Sequence, residues 1–185
     1  MDKERTIIEL KEQISRAFLD VPHPGTPERI IAIPCCPEHD AIAEWFSLHT
    51  WQELEEALEK EDLDLTSYGS LFPEAFQYFL QAVLIYIIQN VDRDPESESW
   101  GKRCWRPVDR VYHTIAPWPR SKEKWSQELR TEYLPLFSIE QKKVVVRVLE
   151  FVCIFGYFHE EDKSEIISDI QAAIKDIWEM NHASH

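Results

Sequence analysis

The segment that decides the fold is Phe72–Val91, which has the sequence FPEAFQYFLQAVLIYIIQNV. From Ala75 onward it contains no charged residue, and a helix that is apolar on all sides is typical of the buried centre of a protein. Pro73 and Glu74 suit a helix start, because proline fits the first turn and a carboxylate favours the positive end of the dipole. A membrane span needs about 20 predominantly apolar residues, and here four amides interrupt the run: Gln77, Gln81, Gln89 and Asn90. We therefore predict a buried central helix.

Helical spacing recurs on both sides of this segment. Residues Lys3–Leu19 and Ile139–Phe155 each repeat apolar residues every three or four positions, and Ser138 with Gln141 has the pattern of a capping box. Other helices are predicted over Glu38–Phe46, with Ile42, Trp45 and Phe46 facing inward, and over Glu123–Tyr133. Two more are predicted to begin at an N-cap, one at Thr50 with Glu53 and one at Ser164. Gly156 is a candidate stop after Phe155.

The remaining pattern favours an all-α, bundle-like fold of one domain over residues 1–185. The chain has 4 glycines and 11 prolines, and few glycines disfavour a sheet built from tight hairpins. Residues 29–33 fit a short strand or an extended segment. Residues 92–125 are predicted to be an irregular aromatic and basic segment, since prolines interrupt them.

Charge limits the classes of partner. The net charge is −14 over 185 residues, which repels phosphate backbones and makes nucleic acid an unfavoured partner. Ten acidic residues and one base, Lys60, lie within Glu38–Asp64. The chain begins MDKER without an apolar signal segment, and its four cysteines form no disulfide framework. We therefore expect a soluble, cytoplasmic protein that does not enter a membrane.

One cluster has the chemistry of a metal site. Cys35, Cys36 and His39 lie within five residues, with His23 upstream, and thiolate and imidazole are good zinc ligands. A closed structural site needs four ligands, so His23 or another residue would have to join through space. The alternative is a loop with partly buried thiols that precedes a helix.

A second cluster is basic and aromatic. Lys102–Lys124 carries seven bases and two acids, and its candidate partner-binding residues are Arg103, Trp105, Arg106, Arg110 and Trp118. The first interpretation is packing against the acidic Glu38–Asp64 segment of the same chain or of a second copy. The second is contact with a protein partner, because Trp and Arg are enriched at such interfaces. Single-stranded nucleic acid, which stacks on aromatic rings, comes third.

Four short blocks resemble a bacterial family known only as a domain of unknown function. They are LFPEAFQYFL at Leu71–Leu80, the turn VPHPG at Val21–Gly25, the helix start at Trp51–Leu54 and the cap at Ser138–Gln141. The resemblance implies a helical domain and supplies no catalytic residue.

Known catalytic signatures are largely missing from the chain. It has no Gly-x-Ser-x-Gly elbow, no phosphate-binding glycine loop and no His-Glu-x-x-His. The function predicted from the sequence is a protein–protein interaction module without a cofactor, which could neutralise a basic partner as immunity proteins do. Homo-oligomerisation is left open. The alternative is a zinc- or thiol-dependent enzyme centred on His23, Cys35, Cys36 and His39.

Overall fold

A computed structural model describes residues 2–31, 37–59, 71–92, 115, 129–158, 161 and 163–178, with the backbone alone for residues 37–39, 59, 129–130 and 176–177. The long helices of this part are α1 (Lys3–Ala17), α2 (Pro37–Leu48), α3 (Trp51–Glu59), α4 (Pro73–Gln89), α5 (Ile139–Phe155) and α6 (Lys163–Ala173). The predicted all-α fold is confirmed. None of the helices in these ranges is both long and apolar enough to cross a membrane.

Helix α4 is the centre around which the others pack. It contacts α1, α3 and α5, and every residue from Ala75 to Ile88 except Gln77 is buried. Five of its residues that fall at helical spacing are fully buried, namely Phe76, Phe79, Leu80, Val83 and Ile87. Burying a large apolar side chain contributes about 1.5–3 kcal/mol, so α4 supplies much of the driving force for folding.

Helices α1 and α5 run antiparallel over one side of α4. The Gln13 side chain accepts a hydrogen bond from Arg147, and one turn later the Ala17 carbonyl accepts one from Gln141. Asp2 caps α1 by accepting from the Arg5 N–H at 3.4 Å. The apolar stripe of α1, predicted from its spacing, is buried at Leu10, Ile14 and Phe18.

Both ends of α5 agree with the prediction. Ser138 and Gln141 form a complete capping box. At the other end Gly156 follows the last helical residue with φ −61° and ψ 140°, so it stops the helix in an extended conformation without a positive φ. A Cβ at Gly156 would lie 2.5 Å from the Val152 oxygen and 2.7 Å from the Phe158 ring, so close packing is the reason for a glycine here.

Three predicted features differ in detail. Instead of a strand at residues 29–33, Pro27–Arg29 forms a 3-10 turn and Ile31 makes an isolated antiparallel bridge to Leu71; residues 32 and 33 lie outside the described part. Of the helix predicted over Glu123–Tyr133, the described part is a π-type turn at Leu129–Tyr133. A short 3-10 turn follows it, and Pro135, which has no N–H to donate, prevents a continuous helix. Helix α6 begins at Lys163, one residue before the predicted Ser164 cap.

Candidate functional site

Most of the residues predicted to form a site lie outside the described residues. This holds for Cys35 and Cys36, for the side chain of His39, and for Arg103, Trp105, Arg106, Arg110 and Trp118. His23 is described. In the part of the chain for which side chains are given, no three His, Cys, Asp or Glu side chains converge as a group that could hold a metal ion.

His23 ties the turn after α1 to the end of α2. Its Nε2–H donates to the His49 carbonyl at 3.0 Å, and its Nδ1 accepts from the Gly25 N–H at 3.0 Å. These two partners require the neutral tautomer with the proton on Nε2, because a carbonyl only accepts and a backbone N–H only donates. The Nδ1 lone pair that would bind a metal is therefore already used. The ring also packs edge-on against Tyr78, 5.0 Å between centroids.

The α2–α3 corner contains a second histidine in a fixed position. The His49 ring stacks on Trp45 at 4.2 Å between centroids with 7° between their planes. Its Nδ1–H donates to the Trp45 carbonyl at 2.7 Å. Both side chains are half-buried. The sequence predicts Ile42, Trp45 and Phe46 to face inward; Phe46 is buried, and Ile42 and Trp45 are partly buried and pack against the same core.

Helix α3 begins with the capping box predicted from Thr50 and Glu53. The Thr50 N–H donates to the Glu53 carboxylate at 2.7 Å, and the Thr50 hydroxyl accepts from the Glu53 N–H at 3.4 Å. The hydrogen bond from the Thr50 backbone is the main cause that lowers the pKa of Glu53. The Glu53 side chain is therefore a permanent negative charge at neutral pH.

The phenol of Tyr78 lies under this helix start. Burial raises the pKa of Tyr78, a hydrogen bond from the backbone of Trp51 lowers it, and the negative charge of Glu53 raises it again. The hydroxyl thus stays neutral and satisfies one of the N–H groups at the start of α3, which have no partner within the helix. Through His23 and Tyr78, the corner is attached to both α4 and the turn after α1.

Charge is strongly segregated between the helices. Helix α2 contains three acidic residues and α3 contains four, and neither contains a lysine or arginine, so together they carry −7. Helix α1 has four bases and three acids and α5 has three bases and two acids, which is +1 for each. The acidic side chains described on α2 and α3 are Asp40, Glu44, Glu53, Glu55 and Glu56, all exposed except Glu55, which is half-buried. We call the surface of α2 and α3 that carries these five side chains the acidic surface.

The ion pair between Lys11 and Glu55 joins this surface to α1. Lys11 Nζ lies 3.2 Å from Glu55 Oε1. Partly exposed pairs of this kind contribute at most about 1 kcal/mol. Asp40, Glu44 and Glu53 of the acidic surface are exposed to solvent, and Glu55 lies at its edge toward α1.

Cys153 is the cysteine that the structure describes, and its environment is unsuited to nucleophilic chemistry. Burial raises the pKa of its thiol to about 11, with a smaller contribution from Glu150. The thiolate is the reactive form of cysteine, so Cys153 is unreactive at neutral pH. Cys153 is a partly buried residue that packs against the core.

Ile115 is the one described residue within Lys102–Lys124, the basic and aromatic part of the segment. It is fully buried, and its carbonyl accepts a hydrogen bond from the Trp178 indole at 2.9 Å. Trp178 in turn packs edge-on against Phe137 at 5.6 Å. At this residue the segment is anchored in the core of its own chain.

No family model matches the chain, and neither the curated proteins nor the solved structures contain a significant match. The resemblance to a family of unknown function therefore stays a prediction, and function has to be argued from the geometry of the described residues.

Proposed function

We propose that this protein is a protein–protein interaction module that binds a basic partner through the acidic surface of α2 and α3. The observation that carries this proposal is the separation of charge, −7 on α2 and α3 against +1 on α1 and on α5. A uniformly solvated surface would mix both signs over all helices. A one-sided field increases the association rate of an oppositely charged partner and selects against acidic ones.

Neutralisation of a basic protein, as immunity proteins do it, fits this arrangement. The carboxylates of α3 lie on a helix whose start is held by a capping box and by the Tyr78 hydroxyl, so they are presented from a rigid element. Rigid presentation lowers the entropy lost on binding. Nucleic acid is a poor alternative, because phosphates would be repelled by the same surface.

The experiment is affinity capture with a matched charge control. The full chain, immobilised, is exposed to extract of the cells from which it comes, and bound proteins are identified by mass spectrometry. Asp40→Lys with Glu44→Lys changes two exposed carboxylates of α2, while Glu12→Lys with Asp20→Lys makes the same net change on and beside α1. We expect a basic protein bound by the parent and the control, and lost from the α2 variant.

Two results would contradict the proposal. One is a specifically bound protein that is acidic. The other is equal loss in both charge variants, which would show that net charge alone, rather than the acidic surface, governs binding.

A further inference from the structure

Helix α2 has an apolar face on each side. On the inner face Ala43 and Phe46 are buried, and the Phe46 ring packs edge-on against Phe79 of α4 at 4.6 Å. On the other side, Ala41 is exposed, Trp45 is half-buried and packs partly against the core, and Leu48 is 72% exposed. Ala41, Trp45 and Leu48 are spaced by four and three residues, which places them in one row along the helix. We call this row, with the neighbouring Asp40 and Glu44, the outward face of α2.

The tryptophan of this face is held in one orientation. Its ring stacks on His49, whose Nδ1–H is bonded to the Trp45 carbonyl at 2.7 Å, and its edge meets Phe46 at 5.3 Å. A partly exposed tryptophan that is already ordered loses little entropy on binding, and tryptophan is prominent among residues that dominate binding energy. Leu48 beside it offers apolar area that solvent now covers.

The charges around the row define what can cover it. Asp40 and Glu44 are both exposed, one turn apart, and the last turn of α2 contains no basic residue. The carbonyl end of a helix also carries partial negative charge. A second copy docked through the same face would bring like charges together, and so would an anionic membrane surface. The partner surface that complements this face is an apolar row flanked by lysine or arginine.

We propose that the outward face of α2 is the docking site for an amphipathic, basic helical segment of the partner. Such a segment places its apolar residues over Trp45 and Leu48 and its basic residues beside Asp40 and Glu44, as in other complexes where a helix is bound through one apolar face. This inference rests on the proposed function and goes beyond it, because it assigns specificity to an apolar row within the acidic surface.

The test uses a defined probe with the full chain. A fluorescent peptide of about 18 leucines and lysines is long enough to become helical, with its leucines on one face; a scrambled peptide has the same composition without that face. Binding is followed by fluorescence anisotropy. The variant is Leu48→Asn, and the control is Ile8→Asn, which changes a comparably exposed residue (61%) on α1.

We expect Leu48→Asn to weaken the patterned peptide about tenfold, because covering a leucine contributes at least that much affinity. Ile8→Asn should leave the affinity unchanged, and the scrambled peptide should bind the parent weakly and ignore Leu48→Asn. Trp45→Phe, which keeps an aromatic ring against Phe46, should weaken the patterned peptide as well. Thermal melts of each variant confirm that it is folded.

The test distinguishes a failure of the docking proposal from a failure of the proposed function. If Asp40→Lys with Glu44→Lys abolishes binding of both peptides while Leu48→Asn changes neither, the acidic surface binds basic ligands and the docking face is wrong. If no variant changes binding, both proposals are wrong. If the parent is a dimer by sedimentation and Leu48→Asn is a monomer, the face is covered by a second copy, which overturns the proposed occupant.

Discussion

The Gln141 side-chain amide donates a hydrogen bond to the Ala17 carbonyl over 3.1 Å, which joins the first turn of α5 to the last residue of α1. The same side chain accepts from the Ser138 N–H and from Gln77 of α4, both at 2.9 Å. Gln141 is 4% exposed. One buried amide therefore caps its own helix and links three helices, and buried polar groups of this kind are costly when a partner is removed.

The first prediction concerns this link. Gln141→Ala should lower the free energy of unfolding by about 2–4 kcal/mol, because a cap is lost and buried groups are left without partners. Ser138→Ala, which removes only the capping hydroxyl, should cost about 1 kcal/mol. Gln141→Glu keeps the acceptors but cannot donate to Ala17, so urea denaturation should place it between the two. Equal losses for Gln141→Ala and Ser138→Ala would mean that the Ala17 bond contributes nothing.

Two glycines are predicted to resist substitution for different reasons. Gly156→Ala should cost about 1–3 kcal/mol through overpacking, since its Cβ would meet Val152 and the buried Phe158 ring. Gly25 has φ +93° and no atom near the position of a Cβ, so Gly25→Ala should cost about 1–2 kcal/mol through backbone strain. A double-mutant cycle with Phe158→Leu should show coupling for Gly156→Ala and none for Gly25→Ala. Coupling in both cycles would refute this distinction.

The pH dependence of Cys153 follows from its burial. The pKa of the thiol is about 11 in the folded chain, against an ordinary value of 9.0. A raised pKa means that the contribution to stability is complete below pH 9.0 and is lost as the pH rises toward 11. With the other three cysteines changed to serine, iodoacetamide should label Cys153 slowly at pH 8 and faster toward pH 11. Cys153→Ala should lack this part of the alkaline loss of stability, whereas identical alkaline melting curves would contradict the prediction.

A zinc measurement separates the predicted function from the enzyme alternative. We expect protein never exposed to chelator to contain well below one equivalent of zinc, since His23 already uses both ring nitrogens in hydrogen bonds. Elemental analysis of the parent and of Cys36→Ser measures this. Near-stoichiometric zinc in the parent that is lost in Cys36→Ser would restore the site at Cys35, Cys36 and His39, because structural zinc is tightly held.

The features that the sequence predicted well are local in the chain. The capping boxes at Thr50–Glu53 and Ser138–Gln141 involve residues three positions apart, and the unbroken apolar run of α4 identifies a buried helix without knowledge of its neighbours. The bond from Gln141 to Ala17 spans 124 positions, and no pattern of spacing reveals it. The same is true of the hydrogen bond from the His23 ring to the His49 carbonyl, because these two residues are far apart in the sequence.

The outward face of α2 was missed for a different reason. An apolar residue at helical spacing is usually part of the core, so the pattern predicts that Trp45 faces inward with Ile42 and Phe46. In the structure Phe46 meets α4 and Trp45 packs partly against the same core, while Ala41 and Leu48 in the row with Trp45 are exposed. A helix with two apolar faces has no single inward direction in its sequence, but a row at 41, 45 and 48 between acidic residues is the signal that could have indicated it.

The last prediction concerns the anchor of the basic and aromatic segment. Trp178→Phe keeps an aromatic ring against Phe137 but removes the indole N–H that bonds the buried Ile115 carbonyl. Leaving a buried carbonyl without its donor costs about 1–3 kcal/mol. The loss weakens the contact that holds the segment at Ile115. Trypsin cuts after arginine unless proline follows, so cleavage after Arg103 and Arg110 reports loss of the anchor at Ile115. We expect faster cleavage at these bonds in Trp178→Phe than in the parent, whereas Trp51→Phe, at the start of α3, should leave the rate unchanged.

If Trp178→Phe is cut at the parental rate while its melting temperature falls, the bond stabilises the core alone. The segment would then open independently of Ile115, and Arg103 and Trp105 would have to be tested as partner contacts in their own right.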